Sequence, residues 1–153
     1  MCEFKKKIRD LLKGRTVYMG MGNILRGDDG IGPKLVEVLW KKGARAVDAG
    51  TVPENYIGSV KRLEPDIIVM IDAVHLGKEP GSVELLKRDE ILENSGFSTH
   101  SLSPVLVMER LESETGAAVF MLAIQPGTLE FGAPLSPAVN SLLTTLPDLL
   151  PGT

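Results

Sequence analysis

Apolar residues follow two different patterns along this chain. Short continuous apolar runs are typical of strands buried on both faces of a sheet, and longer segments between them carry apolar residues at helical spacing. The runs predict strands at 16–19, 44–47, 66–71, 82–86 and 117–124, and the spacing predicts helices at 4–12, 31–40, 55–63, 104–111 and 137–150. Alternation of this kind predicts an α/β protein with three α/β/α layers, built on a mostly parallel twisted sheet of about five strands flanked by helices.

Length and composition narrow the class of protein. With 153 residues, 43% of them hydrophobic, the chain fits a single domain over 1–153, in which residues 1–14 form an N-terminal helical extension. Seventeen basic and twenty acidic side chains give a net charge of −3, without a long run of one sign, which argues against a nucleic-acid partner. Because no run of eighteen apolar residues occurs, we expect no membrane insertion.

The single cysteine, Cys2, indicates the cellular compartment. One cysteine cannot form an internal disulfide, and the basic N-terminal segment lacks the apolar core of a signal peptide. We therefore expect a cytoplasmic protein, and we expect it to be a monomer.

The glycine-rich run from Gly20 to Gly32 carries the most informative chemistry. It follows the first predicted strand and contains Asp28 and Asp29 side by side. Adjacent carboxylates repel each other unless a cation or a basic partner offsets them. Asp72 follows the third strand and His100 lies in a separate polar loop. Two carboxylates and an imidazole from three loops are a plausible open site for a divalent metal.

Other polar residues fall at the same predicted edge, where the carboxyl ends of parallel strands meet and ligands bind. Asn23, Asp48 and Gln125 are candidate substrate-binding residues. Asp48 could instead be a turn residue that bonds to Thr51. His75 is either a surplus ligand or a surface histidine.

Asp28 has a structural interpretation as well. It stands just before the helix that begins at Ile31, where an aspartate caps free N–H groups and favours the helix dipole. We expect Asp28 to be mainly such a cap.

Two ligand-binding alternatives use the same loops. A dinucleotide site would need a third glycine at position 25, where this chain has Leu25. A phosphoacceptor domain would use the acidic pair and Asp72 to bind Mg²⁺, and it would need a lysine where this chain has Gln125.

Five segments resemble the nickel–iron hydrogenase maturation endopeptidases, in the family's order and spacing. They are Gly22-Asn-Ile-Leu-Arg-Gly-Asp-Asp-Gly-Ile-Gly-Pro33, Asp48-Ala-Gly-Thr-Val-Pro-Glu-Asn55, Ile71-Asp-Ala73, Ser98-Thr-His-Ser101 and Ala123-Ile-Gln-Pro126. The resemblance extends from Thr16 to about Leu150 and is greatest to the branch that serves formate-hydrogenlyase-type hydrogenases.

The resemblance implies an activity and a set of site residues. These enzymes have a phosphorylase/hydrolase-like fold and remove a C-terminal extension from the hydrogenase large-subunit precursor once nickel is inserted. By motif, Asp29, Asp72 and His100 match the catalytic and metal-binding positions, and Asp29 is favoured over Asp28. The resemblance implies that the nickel-loaded precursor is the partner and carries the nickel, and that zinc or cadmium could occupy the site in vitro.

The catalytic mechanism remains open between a metal-dependent and an aspartic type. A non-proteolytic, metal-sensing chaperone that holds the precursor without cutting it is the alternative function.

Overall fold

The computed structural model describes residues 2–93 and 104–153, except for the side chains of residues 92 and 93. In these ranges the strands are β1 (Thr16–Gly20), β2 (Arg45–Asp48), β3 (Ile67–Ala73), β4 (Val83–Leu86) and β5 (Ala118–Ile124). The helices are α1 (Cys2–Leu11), α2 (Ile31–Lys41), α3 (Ile57–Lys61), α4 (Arg88–Glu93), α5 (Pro104–Thr115), α6 (Pro137–Asn140) and α7 (Leu142–Thr145). Two 3₁₀ turns, Gly27–Gly30 and Pro53–Tyr56, precede α2 and α3.

The five strands form one sheet in the order β2-β1-β3-β5-β4. β1 pairs in parallel with β2 and β3, and β3 pairs in parallel with β5, whereas β4 is antiparallel to β5. The predicted mostly parallel sheet is confirmed. Since β1, β2, β3 and β5 run the same way, the loops that follow them all leave the sheet at one edge.

Each face of the sheet is covered by its own hydrophobic core. On one face, Val69 and Ile71 of β3 belong to the cluster that includes Leu35 and Leu39 of α2. On the other face, Met70 belongs to the cluster that includes residues of α3 and α5. The alternation of side chains along β3 therefore separates two helical layers, and the three-layer prediction is confirmed. Among the described helices, none is long and apolar enough to cross a bilayer.

The C-terminal helix is shorter than its sequence pattern predicts. The prediction of a single helix over 137–150 is wrong, because α6 ends at Asn140, α7 ends at Thr145, and turns follow. Pro147 explains the end of α7: the N–H of Leu146 still donates to Leu142, whereas proline has no N–H with which to continue the helical hydrogen bonds. The predicted helix over 55–63 is likewise divided into a 3₁₀ turn and the short α3, and α4 was not predicted.

Candidate active site at the carboxyl edge of the sheet

The loop between β1 and α2 packs against the end of β3 without room for side chains. Gly22 has a φ of +137°, and a Cβ there would lie 1.8 Å from the carbonyl oxygen of Asp29. A Cβ on Gly32 would lie 2.6 Å from the carbonyl oxygen of Ile71. The N–H of Met21 donates to the same Ile71 oxygen at 2.9 Å. Glycine at these positions brings the loop with both acids to the end of the central strand.

Asp29 is a buried acid of the 3₁₀ turn Gly27–Gly30. Its side chain is 7% exposed, and its Oδ2 accepts the N–H of Asn23 at 2.9 Å. The fold therefore fixes the orientation of this carboxylate through the backbone of its own loop.

Asp28 is fully buried and binds a distant segment. Its Oδ2 accepts the N–H of Gly127 at 2.7 Å, the N–H of Thr128 at 3.1 Å and the hydroxyl of Ser136 at 2.7 Å. Its Oδ1 accepts the N–H of Ser136 at 2.7 Å. Three N–H groups and a hydroxyl satisfy this carboxylate in place of a basic side chain.

The prediction that Asp28 caps α2 is wrong. The first residue before α2 is Gly30, and the helix start has no side-chain capping hydrogen bond. Asp28 is instead structural in another way, since it joins the loop before α2 to the segment after β5. The partners lie 99 to 108 positions away, so local spacing could not reveal them.

Asp72 lies inside β3 rather than after it. The strand continues to Ala73 because Asp72 pairs with Ala123, and Ala73 with Ile124, of β5. Asp72 is 2% exposed, and its Oδ1 accepts the N–H of Ala73 at 2.9 Å. It lines a small pocket that also includes Pro104, the first residue of α5.

The β2–α3 loop is attached to the same edge by two backbone hydrogen bonds. The N–H of Ala49 donates to Gly20 and the N–H of Gly22 donates to Gly50, both at 2.8 Å. Asp48 is exposed, and its Oδ1 accepts the N–H of Gly50 at 3.0 Å. It is thus a turn residue, although its partner is Gly50 and not the predicted Thr51.

Asn23 and Gln125 each support local backbone. Asn23 Oδ1 accepts the N–H of Leu25 at 2.9 Å. The Oε1 of Gln125 accepts the N–H of Leu76 at 2.5 Å, and its Nε2 donates to the carbonyl oxygen of Pro126 at 3.1 Å. Contact of Asn23, Asp48 and Gln125 with substrate stays a prediction.

His100 and its segment Ser98–Ser101 lie outside the described residues, so the third predicted ligand has no position here. His75 is exposed, after β3. Within 2–93 and 104–153, no three His, Cys, Asp or Glu side chains form a group that could hold a metal ion. The described part of the site therefore supplies two buried acids, Asp29 and Asp72, on neighbouring elements.

Sequence reasoning also missed one unusual acid. Glu54 is partly buried on the 3₁₀ turn Pro53–Tyr56, and its Oε2 is buried without a hydrogen-bond partner among the described residues. Its place within the segment Asp48–Asn55 was the only signal that could have drawn attention to it.

Comparison with known proteins agrees with this geometry. A family model for hydrogenase maturation proteases matches residues 33–150. The hydrogenase 3 maturation protease of Escherichia coli K12 is 30% identical over 139 residues, which cover 89% of this chain and 88% of that protein.

Solved structures are similar as well. The [NiFe] hydrogenase maturation protease HycI of Thermococcus kodakarensis KOD1 superimposes with a TM-score of 0.79 and 28% identity, covering 92% of this chain and 96% of that one. A crystal structure of a hydrogenase 3 maturation protease gives a TM-score of 0.77 at 28% identity over 89% of this chain and 88% of that chain. These matches do not support the dinucleotide-binding or phosphoacceptor alternatives. They show that the chain belongs to the hydrogenase maturation protease family.

Proposed function

We propose that this protein is an endopeptidase that removes the C-terminal extension of the nickel–iron hydrogenase large-subunit precursor after nickel has been inserted. Family membership supports the reaction and the substrate. The observation that carries the assignment of the site is the pair of buried carboxylates, Asp29 and Asp72, at the edge where an α/β sheet binds ligands.

The choice of Asp29 over Asp28 has a structural argument. Asp28 already accepts four hydrogen bonds from the segment after β5, so it serves the fold. Asp29 belongs to the same 3₁₀ turn and has an oxygen oriented by the N–H of Asn23. A carboxylate held in this way is pre-organised, as a metal-binding group needs to be.

Nickel enters this proposal as part of the substrate. Asp29, Asp72 and His100 would bind the nickel carried by the precursor, since carboxylates and an imidazole suit a borderline divalent ion. Asp72 shares its pocket with Pro104, which follows His100 by four positions in the sequence. Cutting would then require the metal of the precursor, because the precursor is held in register only when that metal reaches these side chains.

The hydrolytic step itself has two possible chemistries. The bound nickel can polarise the peptide carbonyl, or an aspartate can act as general base towards water. Precursor loaded with zinc or cadmium separates them. A rate that changes with the metal while binding does not change favours the first chemistry, and an unchanged rate favours the second.

The test of the function is incubation of this protein with purified nickel-loaded precursor, followed by intact-mass measurement. We expect a shortened precursor and a released C-terminal peptide, and no product from nickel-free precursor. Binding of the nickel-loaded precursor without any change in mass would contradict the proposal and indicate the metal-sensing chaperone instead.

A further inference from the structure

A surface groove runs between α2 and the edge strand β2. It has a volume of about 440 Å³, and two of its large apolar side chains are mostly exposed, Trp40 at 64% and Ile24 at 57%. The residues that line it include Ile24, Pro33, Val36, Trp40, Ala46 and Asp48. Exposed apolar side chains grouped around one groove are typical of binding surfaces. The α2–β2 groove is therefore a candidate binding site.

The α2–β2 groove begins at the candidate active site and leads away from it. Ile24 belongs to the loop that carries Asp29, and Asp48 stands at the carboxyl end of β2. Trp40, near the end of α2, lies at the opposite end of the groove. Over residues 33–40 the helix advances by about 10 Å, which is the length of about three extended residues. A short extended peptide in the groove would thus reach the candidate active site with one of its ends.

The free edge of β2 determines which kind of ligand fits. Among the strands that the structure describes, β2 pairs only with β1 and stands first in the order β2-β1-β3-β5-β4. A strand at the edge of a sheet presents unpaired N–H and C=O groups, and an extended peptide can pair with them as an added strand. Ala46 and Asp48 are two positions apart, so the same face of β2 lines the groove at both. An added strand would place alternate side chains on that face, against α2.

We propose that the α2–β2 groove binds the first residues of the C-terminal extension of the precursor, as a strand added to β2 with an apolar side chain against Trp40. The inference rests on the proposed function for the identity of the ligand. With the nickel of the precursor held at Asp29 and Asp72, the extension continues from the bond that is cut and enters the groove at its near end. A chain terminus outside a folded domain is free to become extended. It then runs away from the carboxyl edge, so its pairing with β2 is antiparallel.

The fluorescence of Trp40 tests occupation of the groove without any cutting. Trp40 is the only tryptophan of the chain, so its emission reports on the groove alone. Overlapping synthetic peptides that span the C-terminal end of the precursor are titrated into the full-length protein. We expect peptides from the extension to shift the emission to shorter wavelength and to protect it from quenching by iodide, because the ring loses contact with water. Peptides from the preceding part of the precursor should do neither.

Two matched variants test the contribution of Trp40 to affinity. Trp40→Ala and Phe131→Ala each remove a mostly exposed aromatic ring, at 64% and 71% exposure, and Phe131 lies in the segment after β5. The Kd of a fluorescein-labelled extension peptide is measured by anisotropy, together with the thermal unfolding midpoint. Trp40→Ala should bind the peptide about 10- to 100-fold more weakly and unfold close to the wild-type temperature, because the ring is exposed. Phe131→Ala should change neither value.

Backbone methylation of the peptide tests the added strand. A methyl group on a peptide nitrogen removes its N–H, and in an antiparallel pair alternate residues form the hydrogen bonds to the neighbouring strand. Single methylation along the extension peptide should therefore weaken binding at every second position. Equal effects at neighbouring positions would contradict pairing with β2.

Three further results would overturn the inference. No response of Trp40 to any of the peptides would leave the groove without this ligand. Weaker binding by Phe131→Ala but not by Trp40→Ala would place the extension on the other side of the loop. A wild type that sediments as a dimer, and becomes monomeric on Trp40→Ala, would show that a second copy covers the groove.

The failure of this inference is distinguishable from the failure of the proposed function. If the peptides bind at Trp40 as expected and the nickel-loaded precursor is not cut, the proposed function fails and the assignment of the groove stands. If wild type and Trp40→Ala cut the precursor with the same KM, the proposed function stands and the assignment of the groove is wrong.

Discussion

Replacing Asp28 by Asn should strongly destabilise the fold, although the two side chains have nearly the same shape. Oδ2 of Asp28 accepts three hydrogen bonds, from Gly127, Thr128 and the hydroxyl of Ser136, and Oδ1 accepts the N–H of Ser136. An asparagine has only one acceptor oxygen. If that oxygen replaces Oδ2, the new NH₂ group faces the N–H of Ser136, and two donors meet.

The loss can be estimated from these contacts. A hydrogen bond to a charged group contributes about 1.5–3 kcal/mol, and a buried donor left without an acceptor costs about 1–3 kcal/mol. Losing the Oδ1 bond and burying an unsatisfied N–H should together lower the free energy of unfolding by about 2.5–6 kcal/mol. The opposite amide orientation would place the NH₂ group against three donors, and its free energy would be higher still. Domains of this kind have a total stability of about 5–15 kcal/mol, so the variant should lose a large part of its stability.

Urea denaturation followed by circular dichroism measures the effect, with Asp48→Asn as the control. Asp48 is exposed and its side chain accepts a single N–H, from Gly50. Its variant should lose at most about 1 kcal/mol. If Asp28→Asn were as stable as Asp48→Asn, the hydrogen bonds to the segment after β5 would not hold the fold together, and the account of Asp28 would be wrong.

Three further substitutions test the fold around the site. Tyr18→Phe removes the hydrogen bond from the Tyr18 hydroxyl to the carbonyl oxygen of Pro151 and should cost about 1 kcal/mol in a urea melt. Burial raises the pKa of Tyr18, so wild type should lose stability as the pH rises above about 10, where unfolded tyrosine ionises, and the Phe variant should lack that contribution. Gly22→Ala would place a Cβ 1.8 Å from the carbonyl oxygen of Asp29, at a φ of +137°. Expression and thermal unfolding should show a misfolded or severely destabilised protein. A stable, active variant would contradict this description of the loop. Gln125→Ala should lower stability by about 1–3 kcal/mol, because the partly buried N–H of Leu76 and the buried carbonyl oxygen of Pro126 lose their side-chain partner. A raised KM with unchanged stability would show instead that Gln125 contacts substrate.

An element could be predicted from the sequence where the interactions that form it leave a pattern in neighbouring residues. The strands could be recognised because parallel strands covered on both faces are mostly apolar, as over residues 67–71 of β3. The C-terminal helix was overpredicted because apolar spacing continued through Pro147, whose missing N–H ends the helix whatever the spacing. Strand ends were less certain, since pairing with β5 keeps Asp72 inside β3.

The location of two candidate acids was predicted, whereas their role stays a prediction. Acids in a glycine-rich loop and at the end of the central strand are visible in the sequence, and Asp29 and Asp72 are indeed buried at that edge. The structural role of Asp28 depends on which donors the folded chain brings to its carboxylate, and no local sequence pattern contains that information. The assignment of His100 stays a prediction, since it lies outside the described residues.

The most direct test of the central claim compares three single variants for cutting of the nickel-loaded precursor, scored by intact mass. Asp72→Asn removes a proposed nickel-binding charge, and His100→Ala removes the proposed imidazole ligand. His75→Ala changes the other histidine, which is exposed after β3. We predict that wild type and His75→Ala release the C-terminal peptide at the same rate, and that Asp72→Asn and His100→Ala, while still folded, release little or none. Cutting by His100→Ala and Asp72→Asn at the wild-type rate would contradict the account.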